Sequence, residues 1–468
     1  MRIAVVHGYF LGDSGSAVYV RELSRQFARD GHEVTLVCQE RAPETYDFID
    51  TFFKLRPGNL EMDEIFSRSR PYSGACRLVR PDIRDNLLTY VASSDTRFRN
   101  TTFQEASVTL INEYLEDNIT ALKTVWQTWP QDFVQANHAI MQPYETAASL
   151  NGSAPFCATI HGSALNFSVK TDLRLVPYFT EGVKKAAAVV ALSEDSARDV
   201  ISYAAGLDLD ISGKTEVISP GVDTDRFNPD AGTAPAEDRI MMVGRLLWTK
   251  GTHYAVAAVP LISQSGRDVK LTLAGDGPMR KPLEEFVGLL NEGRLADARQ
   301  LIKEEPELKA SAEHGPVIPD FGWEEEELYA KAAAGNMKNR IRFAGHLTHE
   351  QLAPLMAGSD ISMMPSVFPE AYGLAAVEGL SAGAVPVASY HSGLKAPLDV
   401  VDAELKDPVL KSLIPGIPLT RALADCVVHV LDRYPTKDTV FRKKLHALAE
   451  KRFSWAKTSE TYIMLFKE

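Results

Sequence analysis

Cysteine is scarce in this chain of 468 residues, which contains four, and no two of them lie close together in sequence. Disulfide frameworks and structural zinc sites use closely spaced cysteines, so the sequence supports neither. Long uninterrupted apolar runs are also missing, and a membrane-spanning helix needs about 20 such residues. The apolar N-terminal stretch has no small-residue cleavage site, so it is interpreted as a strand rather than a signal peptide. These features predict a cytoplasmic protein.

An excess of positive charge is missing as well, because the formal net charge is -12. Non-specific nucleic-acid binding depends on cationic contacts with phosphates, so this balance argues against a nucleic-acid partner. It does not indicate membrane association either, although the locally basic segment 77–84 leaves that alternative open. The length predicts two or three domains, each large enough to have its own core.

Two successive series of alternating strands and helices run along the chain. Residues 2–7 are a short apolar run, and a glycine-bearing loop, a helical pattern ending at Gly31 and a second apolar run follow. The pattern restarts at Arg239, after the segment 219–238, which is rich in proline, glycine and aspartate. We therefore predict an α/β protein with two Rossmann-like, doubly wound domains that face each other across a cleft.

The domain boundaries follow from the same pattern. We predict an N-terminal domain over 1–218 and a C-terminal domain over 219–446. A C-terminal helix over 447–468 is expected to pack back on the first domain. The second domain carries a polar, mostly helical insertion over about 282–340, and the first contains a long amphipathic helix from about Thr102 to Trp126.

A glycine-bearing loop, Gly12 to Ser16, separates the first predicted strand from the first helix. Glycine lets the backbone approach a phosphate, and a helix N-terminus favours an anion. Gly12 and Gly15 are therefore candidates for phosphate contacts. The spacing is not GxGxxG, so the dinucleotide fingerprint is absent. A tight turn without a ligand explains the loop equally well.

Histidines follow two of the predicted strands. His161 comes directly after FCATI, and an imidazole at the carboxyl end of a strand can form a hydrogen bond with a substrate hydroxyl or phosphate oxygen. We favour this role for His161 over that of a buried structural histidine. His138 also follows a strand, but for this residue we favour the structural interpretation.

Two cations, Arg245 and Lys250, follow the first strand of the second series, after Gly244. An arginine fork and a lysine point charge together suit a diphosphate. Scattered surface cations would not explain their place at the end of a strand.

Two glutamates, Glu370 and Glu378, stand eight positions apart in the segment 368–389. A helix is expected to begin near Tyr372 to Leu374, where free backbone N–H groups would face an anion. Carboxylates on either side would accept hydrogen bonds from vicinal hydroxyls, so the arrangement fits a nucleotide-diphosphate sugar. The alternative, a helix-dipole partner followed by a solvated glutamate, explains the pattern as well.

With these motifs together, the chain resembles the retaining glycosyltransferases of the GT-B fold, specifically family 4, the glycosyl transferases group 1. The matching stretches follow the family order across nearly the whole chain: GHEVTLV, IHGS, VISPGVDTDRF, VGRLLWTKG, LTLAGDGP, IRFAGHL, Glu370-x7-Glu378, SAGAVPVAS and FSWAKTSETY. The two-glutamate element is moderately specific by itself and strongly so beside the glycine-arginine-lysine element.

The resemblance implies a role for each of these residues. Arg245 and Lys250 would bind the donor diphosphate and stabilise the leaving group. Glu370 would contact the donor hexose, Glu378 the ribose, and His161 would lie beside the donor sugar. The catalytic set is therefore His161, Arg245, Lys250 and Glu370. The donor-binding set is Gly12, Gly15, Gly244, Gly345, Tyr372, Gly373, Leu374 and Glu378. No metal or other cofactor is expected.

We therefore predict an enzyme that transfers a hexosyl unit, with retention, from a UDP- or GDP-linked sugar to a hydroxyl acceptor. The alternatives are a GT-B sugar phosphorylase, a nucleotide-sugar epimerase and a non-catalytic nucleotide-sugar sensor. The sequence identifies neither the acceptor nor the oligomeric state.

Overall fold

The protein is described by a computed structural model that covers most of the chain. The described residues are 1–12, 14–56, 61–83, 87–90, 101–306, 326–414 and 419–467. They form two compact units, Met1–Gly221 with Trp455–Glu468 (unit 1) and Val222–Ser454 (unit 2). Each unit is an α/β structure built on parallel strands, as the alternating pattern predicts.

Unit 1 is built on a large sheet. Its described strands are β1 (Arg2–Val6), β2 (Glu33–Val37), β3 (Thr51–Leu55), β4 (Met62–Ser67), β5 (Ala75–Arg80), β6 (Leu88–Thr89), β7 (Thr101–Thr102), β8 (Phe133–Asn137), β9 (Phe156–Ile160), β10 (Ala188–Ala191) and β11 (Thr215–Val217). Among these residues a nine-stranded sheet has the order β11-β10-β9-β8-β1-β2-β5-β3-β4, and β6 pairs with β7. Neighbours are parallel except β3 and β4. The central strands β8 and β9 are buried along their whole length, which explains their continuous apolar character.

The helices of unit 1 cover this sheet. Those described are α1 (Gly15–Arg29), α2 (Val108–Thr128), α3 (Gln142–Leu150), α4 (Gly162–Ala164), α5 (Val176–Lys185) and α6 (Glu194–Ala205). Short 3-10 segments lie at Pro43–Thr45, Leu173–Leu175 and Ser212–Lys214, and a π-helical turn at Leu165–Val169. Helix α2 packs on α3, and α3 on α5.

The segment before α2 differs from the sequence prediction. The helix expected from about Thr102 begins at Val108, because the Ser107 side chain accepts a hydrogen bond from Leu110 N and caps it there. Thr102 instead belongs to β7. The adjoining region also supplies β3, β4 and β5, which the sequence pattern did not predict.

Unit 2 has a smaller, fully parallel sheet. Its described strands are β12 (Asp238–Val243), β13 (Val269–Ala274), β14 (Ile341–Gly345), β15 (Ile361–Met364) and β16 (Val385–Ala388). Their order is β14-β13-β12-β15-β16. Its described helices are α7 (Thr252–Gln264), α8 (Arg280–Asn291), α9 (Leu295–Glu304), α10 (Glu326–Ala333), α11 (Met337–Arg340), α12 (His349–Ala357), α13 (Leu374–Ser381), α14 (Lys395–Leu405), α15 (Leu419–Arg433) and α16 (Thr439–Arg452). Short 3-10 segments lie at Pro229–Ala231, Trp248–Lys250, Ser392–Leu394 and Pro408–Lys411.

The polar segment predicted as a helical insertion contributes α8 to α11, while its residues 307–325 lie outside the described part of the chain. Helix α10 packs on α7, where the Tyr329 hydroxyl donates to Ala257 O at 2.9 Å. In the part of the chain that the structure describes, no helix has both the length and the apolar character needed to cross a membrane.

The C-terminal segment differs from the single helix predicted over 447–468. Helix α16 ends at Arg452 in unit 2, and a separate helix, α17 (Trp455–Leu465), belongs to unit 1. Helix α16 is held in unit 2 by the buried guanidinium of Arg442, which donates to the carbonyls of Ser359 and Ala382 at 2.9 and 3.0 Å. The chain therefore leaves unit 2 between α16 and α17.

Helix α17 is joined to the core of unit 1 by a buried chain of hydroxyl groups. The Tyr462 hydroxyl lies 2.7 Å from the Tyr19 hydroxyl on α1 and 2.9 Å from Thr159 Oγ1 on β9. The ring of Phe466, just beyond α17, stacks on Phe133 of β8 with centroids 4.5 Å apart. Hydrogen bonds and ring packing thus both attach the C-terminal segment.

Replacing Tyr462 with phenylalanine is expected to lower the free energy of unfolding of unit 1 by about 1–2 kcal/mol, because two buried hydroxyls lose a partner. Urea denaturation followed by fluorescence measures the change. Tyr178→Phe is the matched control, since its hydroxyl forms no hydrogen bond with any described residue. Equal stability of the two variants would contradict the expectation.

Candidate functional site

The carboxyl ends of the five parallel strands described in unit 2 meet at one edge of its sheet, and backbone hydrogen bonds join loops that follow them. Gly275 N, after β13, donates to Gly345 O at the end of β14 (2.7 Å). Gly244 N, after β12, donates to Ala274 O at 3.0 Å. Gly244 and Gly345, both predicted donor-binding residues, therefore lie at strand ends on either side of the β13 loop.

Close backbone approach explains the glycine after β13. Gly275 has a φ of 145°, and a Cβ on it would lie 1.9 Å from Gly244 O. Any side chain would separate the two loops. The first glycine of GDGP, within the LTLAGDGP stretch, is thus a packing requirement of this edge.

Lys250 lies in the 3-10 turn after β12, and the next residue brings this turn against the end of β15. Gly251 has a φ of 69°, and a Cβ there would lie 2.0 Å from Pro365 O. The Lys250 ammonium Nζ is 2.6 Å from Glu370 Oε1. Both side chains are partly buried, with 27% and 18% of their surface exposed. Two residues predicted independently as ligand contacts are therefore joined by an ion pair.

Glu370 is held by the loops on both sides of it. Its Oε1 also accepts a hydrogen bond from Ser366 Oγ, which follows β15, at 2.7 Å. Its backbone N donates to Ser392 Oγ, and its carbonyl accepts from Gly393 N, both at 2.9 Å. The loop after β16 thereby fixes the main chain of Glu370, while Lys250 and Ser366 fix its carboxylate.

The electrostatics of Glu370 follow from these contacts. Burial would raise its pKa, but the Lys250 ammonium and the Ser366 hydroxyl outweigh burial, so the pKa lies below its usual value. The carboxylate is therefore ionised at neutral pH. Its second oxygen, Oε2, receives no hydrogen bond from a residue that the structure describes. A ligand hydroxyl can donate to that oxygen without disrupting the ion pair.

Helix α13 begins at the predicted place. Gly373 is its N-cap with a φ of 116°, and a Cβ there would lie 2.5 Å from Leu394 Cδ2. Leu374 is the first helical residue, so its N–H lies in the first turn, where a helix favours an anion. Tyr372 is buried, and its ring packs edge-on against Phe453 with centroids 6.5 Å apart.

Glu378 lies on the second turn of α13 and is 6% exposed, so it is not the solvated helix residue of the alternative interpretation. Its Oε1 is 3.6 Å from Nε2 of His349, the first residue of α12. Arg245 is half-buried directly after Gly244 and β12, and its carbonyl accepts from Leu247 N at 2.9 Å. Ser366, Ser392 and His349 were not predicted from the sequence, although each follows a strand.

In unit 1, three histidines follow three neighbouring strands: His7 after β1, His138 after β8 and His161 after β9. The ring centroids of His7 and His138 are 5.2 Å apart, and those of His138 and His161 are 5.0 Å apart. Burial lowers the pKa of His7 to about 4 and that of His161 to about 3. The rings are therefore neutral at pH 7. His7 was not predicted from the sequence, although its place directly after the first strand is the signal that identified His161.

The glycine-bearing loop of unit 1 is described except for Asp13, which lies outside the described residues. Gly15 is the first residue of α1, and the Ser14 side chain caps the helix by accepting from Ala17 N. A Cβ on Gly12 or Gly15 would meet no atom of a described residue within 4 Å. Packing thus does not require either glycine, which leaves space above this helix N-terminus.

Comparisons with known families match both units. Residues 14–208 match the model described as a glycosyl transferase 4-like domain. Residues 223–293 and 301–398 match the model described as glycosyl transferases group 1. Together the two models match most of the chain.

Curated proteins with similar sequences are sugar transferases and synthases. The chain is 26% identical over 315 residues to 2-deoxystreptamine glucosyltransferase of Streptomyces kanamyceticus, covering 61% of this chain and 66% of that protein. It is 28% identical over 182 residues to glycogen synthase of Mycobacterium tuberculosis, covering 38% and 32%. The chain thus spans about two thirds or less of the length of these relatives.

Solved structures match along the entire chain. Sucrose-phosphate synthase of Thermosynechococcus elongatus has a TM-score of 0.62 at 18% identity, covering 100% of this chain and 98% of that chain. Anabaena HepE in complex with UDP-glucose has a TM-score of 0.60 at 15% identity, covering 100% and 99%. At these identities the likeness concerns the fold.

Proposed function

The chain belongs to the glycosyl transferases group 1 and has the GT-B fold, and from that premise we propose that it transfers a hexosyl unit from a UDP- or GDP-linked sugar to a hydroxyl acceptor, with retention. The observation that carries this proposal is the ion pair between Lys250 and Glu370 at the carboxyl edge of the unit 2 sheet. The named relatives and the UDP-glucose complex of HepE support a nucleotide-sugar donor.

Lys250 would act on the diphosphate leaving group. When the bond between the sugar and the diphosphate breaks, negative charge develops on the diphosphate, and a cation already fixed nearby stabilises it without further reorganisation. The 2.6 Å contact with Glu370 holds the ammonium in place before the donor binds. Arg245, on the same loop, would add a guanidinium fork suited to phosphate oxygens.

Glu370 would recognise hydroxyl groups of the donor hexose through Oε2, while Oε1 remains with Lys250 and Ser366. A carboxylate engaged in an ion pair and a hydrogen bond is a weak nucleophile. We therefore propose that retention does not pass through a covalent intermediate on Glu370. Glu378 would have a separate role at the ribose, from the second turn of α13.

We further propose that no metal ion is needed, because Arg245 and Lys250 would supply the positive charge that a diphosphate requires. A thermal-shift series with UDP- and GDP-linked hexoses, in the presence of a chelator, tests this together with donor binding. The cognate donor at 100 times its Kd is expected to stabilise unit 2 by about 2.7 kcal/mol. Lys250→Ala should reduce the shift.

The control in that series is the free hexose, which lacks the diphosphate and should give no shift. If no nucleotide sugar shifts the unfolding transition, with or without the chelator, the proposed donor is wrong. If a shift occurs only without the chelator, the proposal that the donor site needs no metal is wrong.

A further inference from the structure

Asn137, the last residue of β8, is fully buried beside His161. Its Nδ2 is 3.0 Å from Val6 O of β1, and its Oδ1 is 2.9 Å from His161 Nε2. The side-chain amide thus bridges the main chain of one strand and the imidazole that follows another.

The orientation of this amide follows from its neighbour on β1. A main-chain carbonyl oxygen can only accept a hydrogen bond, so the amide atom that faces Val6 O must be the N–H donor. The oxygen of Asn137 then faces His161. Because that oxygen carries no hydrogen, His161 Nε2 must carry the proton that lies between them.

Gln135, two residues earlier on the same face of β8, supports this orientation. Its Oε1 accepts from Asn137 Nδ2 at 2.8 Å, and its Nε2 donates to Asn137 Oδ1 at 3.0 Å. Gln135 Nε2 also donates to Thr159 Oγ1 at 2.9 Å. The two amides are therefore reciprocally bonded, and reversing Asn137 would break its bonds to Gln135 and place two oxygens together at Val6.

We propose that Asn137 is a positioning residue that holds His161 in the tautomer with its proton on Nε2, so that the unprotonated Nδ1 accepts a hydrogen bond from a substrate hydroxyl. No hydrogen bond from a described residue reaches Nδ1. This inference rests on the proposed function, because it assumes a hydroxyl-bearing sugar substrate. An unprotonated Nδ1 makes His161 selective for a neutral hydroxyl over a phosphate oxygen, because the lone pairs of Nδ1 and of the phosphate oxygen would repel each other.

The surroundings of His161 keep it neutral. Among the described residues, the titratable groups that face it are His7 after β1, His138 after β8 and Tyr19 on α1, whose ring is edge-on at 5.1 Å between centroids. Burial lowers the pKa of His138 well below its usual value. Burial also raises the pKa of Tyr19 well above its usual value. None of these groups is charged at pH 7, so the hydrogen-bonding role of His161 depends on its tautomer.

Nitrogen NMR on the full chain with labelled histidine tests the tautomer directly. The His161 signal is identified by its loss in His161→Gln. We expect the proton on Nε2 in the wild type and a mixture of tautomers in Asn137→Leu. A wild-type proton on Nδ1 would overturn the inference. This readout does not require turnover, so it stands apart from the proposed function, which fails if the wild type consumes no nucleotide sugar.

Kinetics separate positioning from a structural role. Asn137→Leu and Asn137→Asp both lose the donor to Val6 O, but only the aspartate keeps an acceptor for His161 Nε2. We expect kcat/KM to fall about 10-fold in Asn137→Leu, the scale of one lost hydrogen bond, and to return to within about threefold of wild type in Asn137→Asp at pH 8. Equal losses in both variants would overturn the inference.

The activity of Asn137→Asp is also expected to depend on pH. A carboxylate beside Nε2–H raises the pKa of His161, so as pH falls through that value Nδ1 gains a proton and can no longer accept. Asn137→Asp should therefore lose activity on the acid side, where the wild type does not. The control is Thr159→Val, which removes a hydroxyl from the same buried network without touching His161 and should lower stability only.

The source of the hydroxyl is resolved by the donor and acceptor kinetics of Asn137→Leu. A higher KM for the donor in donor hydrolysis without acceptor indicates a hydroxyl of the donor sugar. A higher KM for the acceptor alone, in transfer, indicates an acceptor hydroxyl. If neither KM nor kcat changes while the tautomer does, the proposed hydrogen bond to substrate is wrong.

Discussion

Replacing Lys250 with alanine is expected to lower kcat at least ~100-fold, the scale of one lost electrostatic stabiliser of developing charge. The reason is the place of its ammonium, fixed 2.6 Å from Glu370 Oε1 at the carboxyl edge of a parallel sheet. The loss should appear in kcat as well as kcat/KM, because the charge on the diphosphate is greatest in the transition state. Steady-state assays of donor consumption measure both.

Two controls make this result specific. Lys437→Ala removes another lysine of unit 2 whose ammonium forms an ion pair, 2.8 Å from Asp238, and is expected to leave kcat within about twofold. Lys250→Arg keeps the charge but changes its geometry and should recover part of the activity. Turnover close to wild type in Lys250→Ala would show that the cation is not part of the reaction.

Replacing Glu370 with alanine is expected to lower turnover by at least ~100-fold as well, for two reasons. The sugar hydroxyls lose their acceptor, and Lys250 loses the carboxylate that holds its ammonium. Glu370→Gln separates these effects, because the amide keeps an oxygen for hydrogen bonding but not the charge. If the glutamine variant retains most of the activity, Glu370 acts mainly through hydrogen bonding. Near wild-type turnover in Glu370→Ala would exclude Glu370 from the site.

A double-mutant cycle with Lys250→Ala and Glu370→Gln measures how strongly the two residues act together. Residues that act as a unit are not additive, so the double variant is expected to be little slower than the slower single variant. Strict additivity would mean that the ion pair is a structural contact and that the residues act independently. The cycle also tests whether Glu370 fixes the Lys250 ammonium.

The alternation of strands and helices could be predicted because it depends on local sequence patterns. Short apolar runs give buried parallel strands, and capping residues such as Ser14 and Thr348 mark where helices begin. The prediction was weakest before α2, where β3, β4 and β5 extend the sheet without a clear pattern of their own. There the strands depend on neighbours already in the sheet, which a local pattern does not contain.

The candidate site could be predicted as a set of residues but not as a set of contacts. Lys250 was identified by its place after a strand, and Glu370 by its place before an expected helix start and by its spacing from Glu378. Their contact joins residues 120 positions apart. Ser366 and Ser392 were missed, since a serine after a strand has no distinctive signal until its partner is known.

The sequence by itself determined the fold class, the two series of strands and helices and the family, because these depend on periodicity, turn chemistry and motif order along the chain. The tertiary structure alone decided which charges pair, which groups lose water and which side chain lies within hydrogen-bond distance of a histidine. Val6, Asn137 and His161 come from three different strands or strand ends, yet one buried amide links them. Hydrogen-bond direction and desolvation depend on distance in space, and distance along the chain does not specify them.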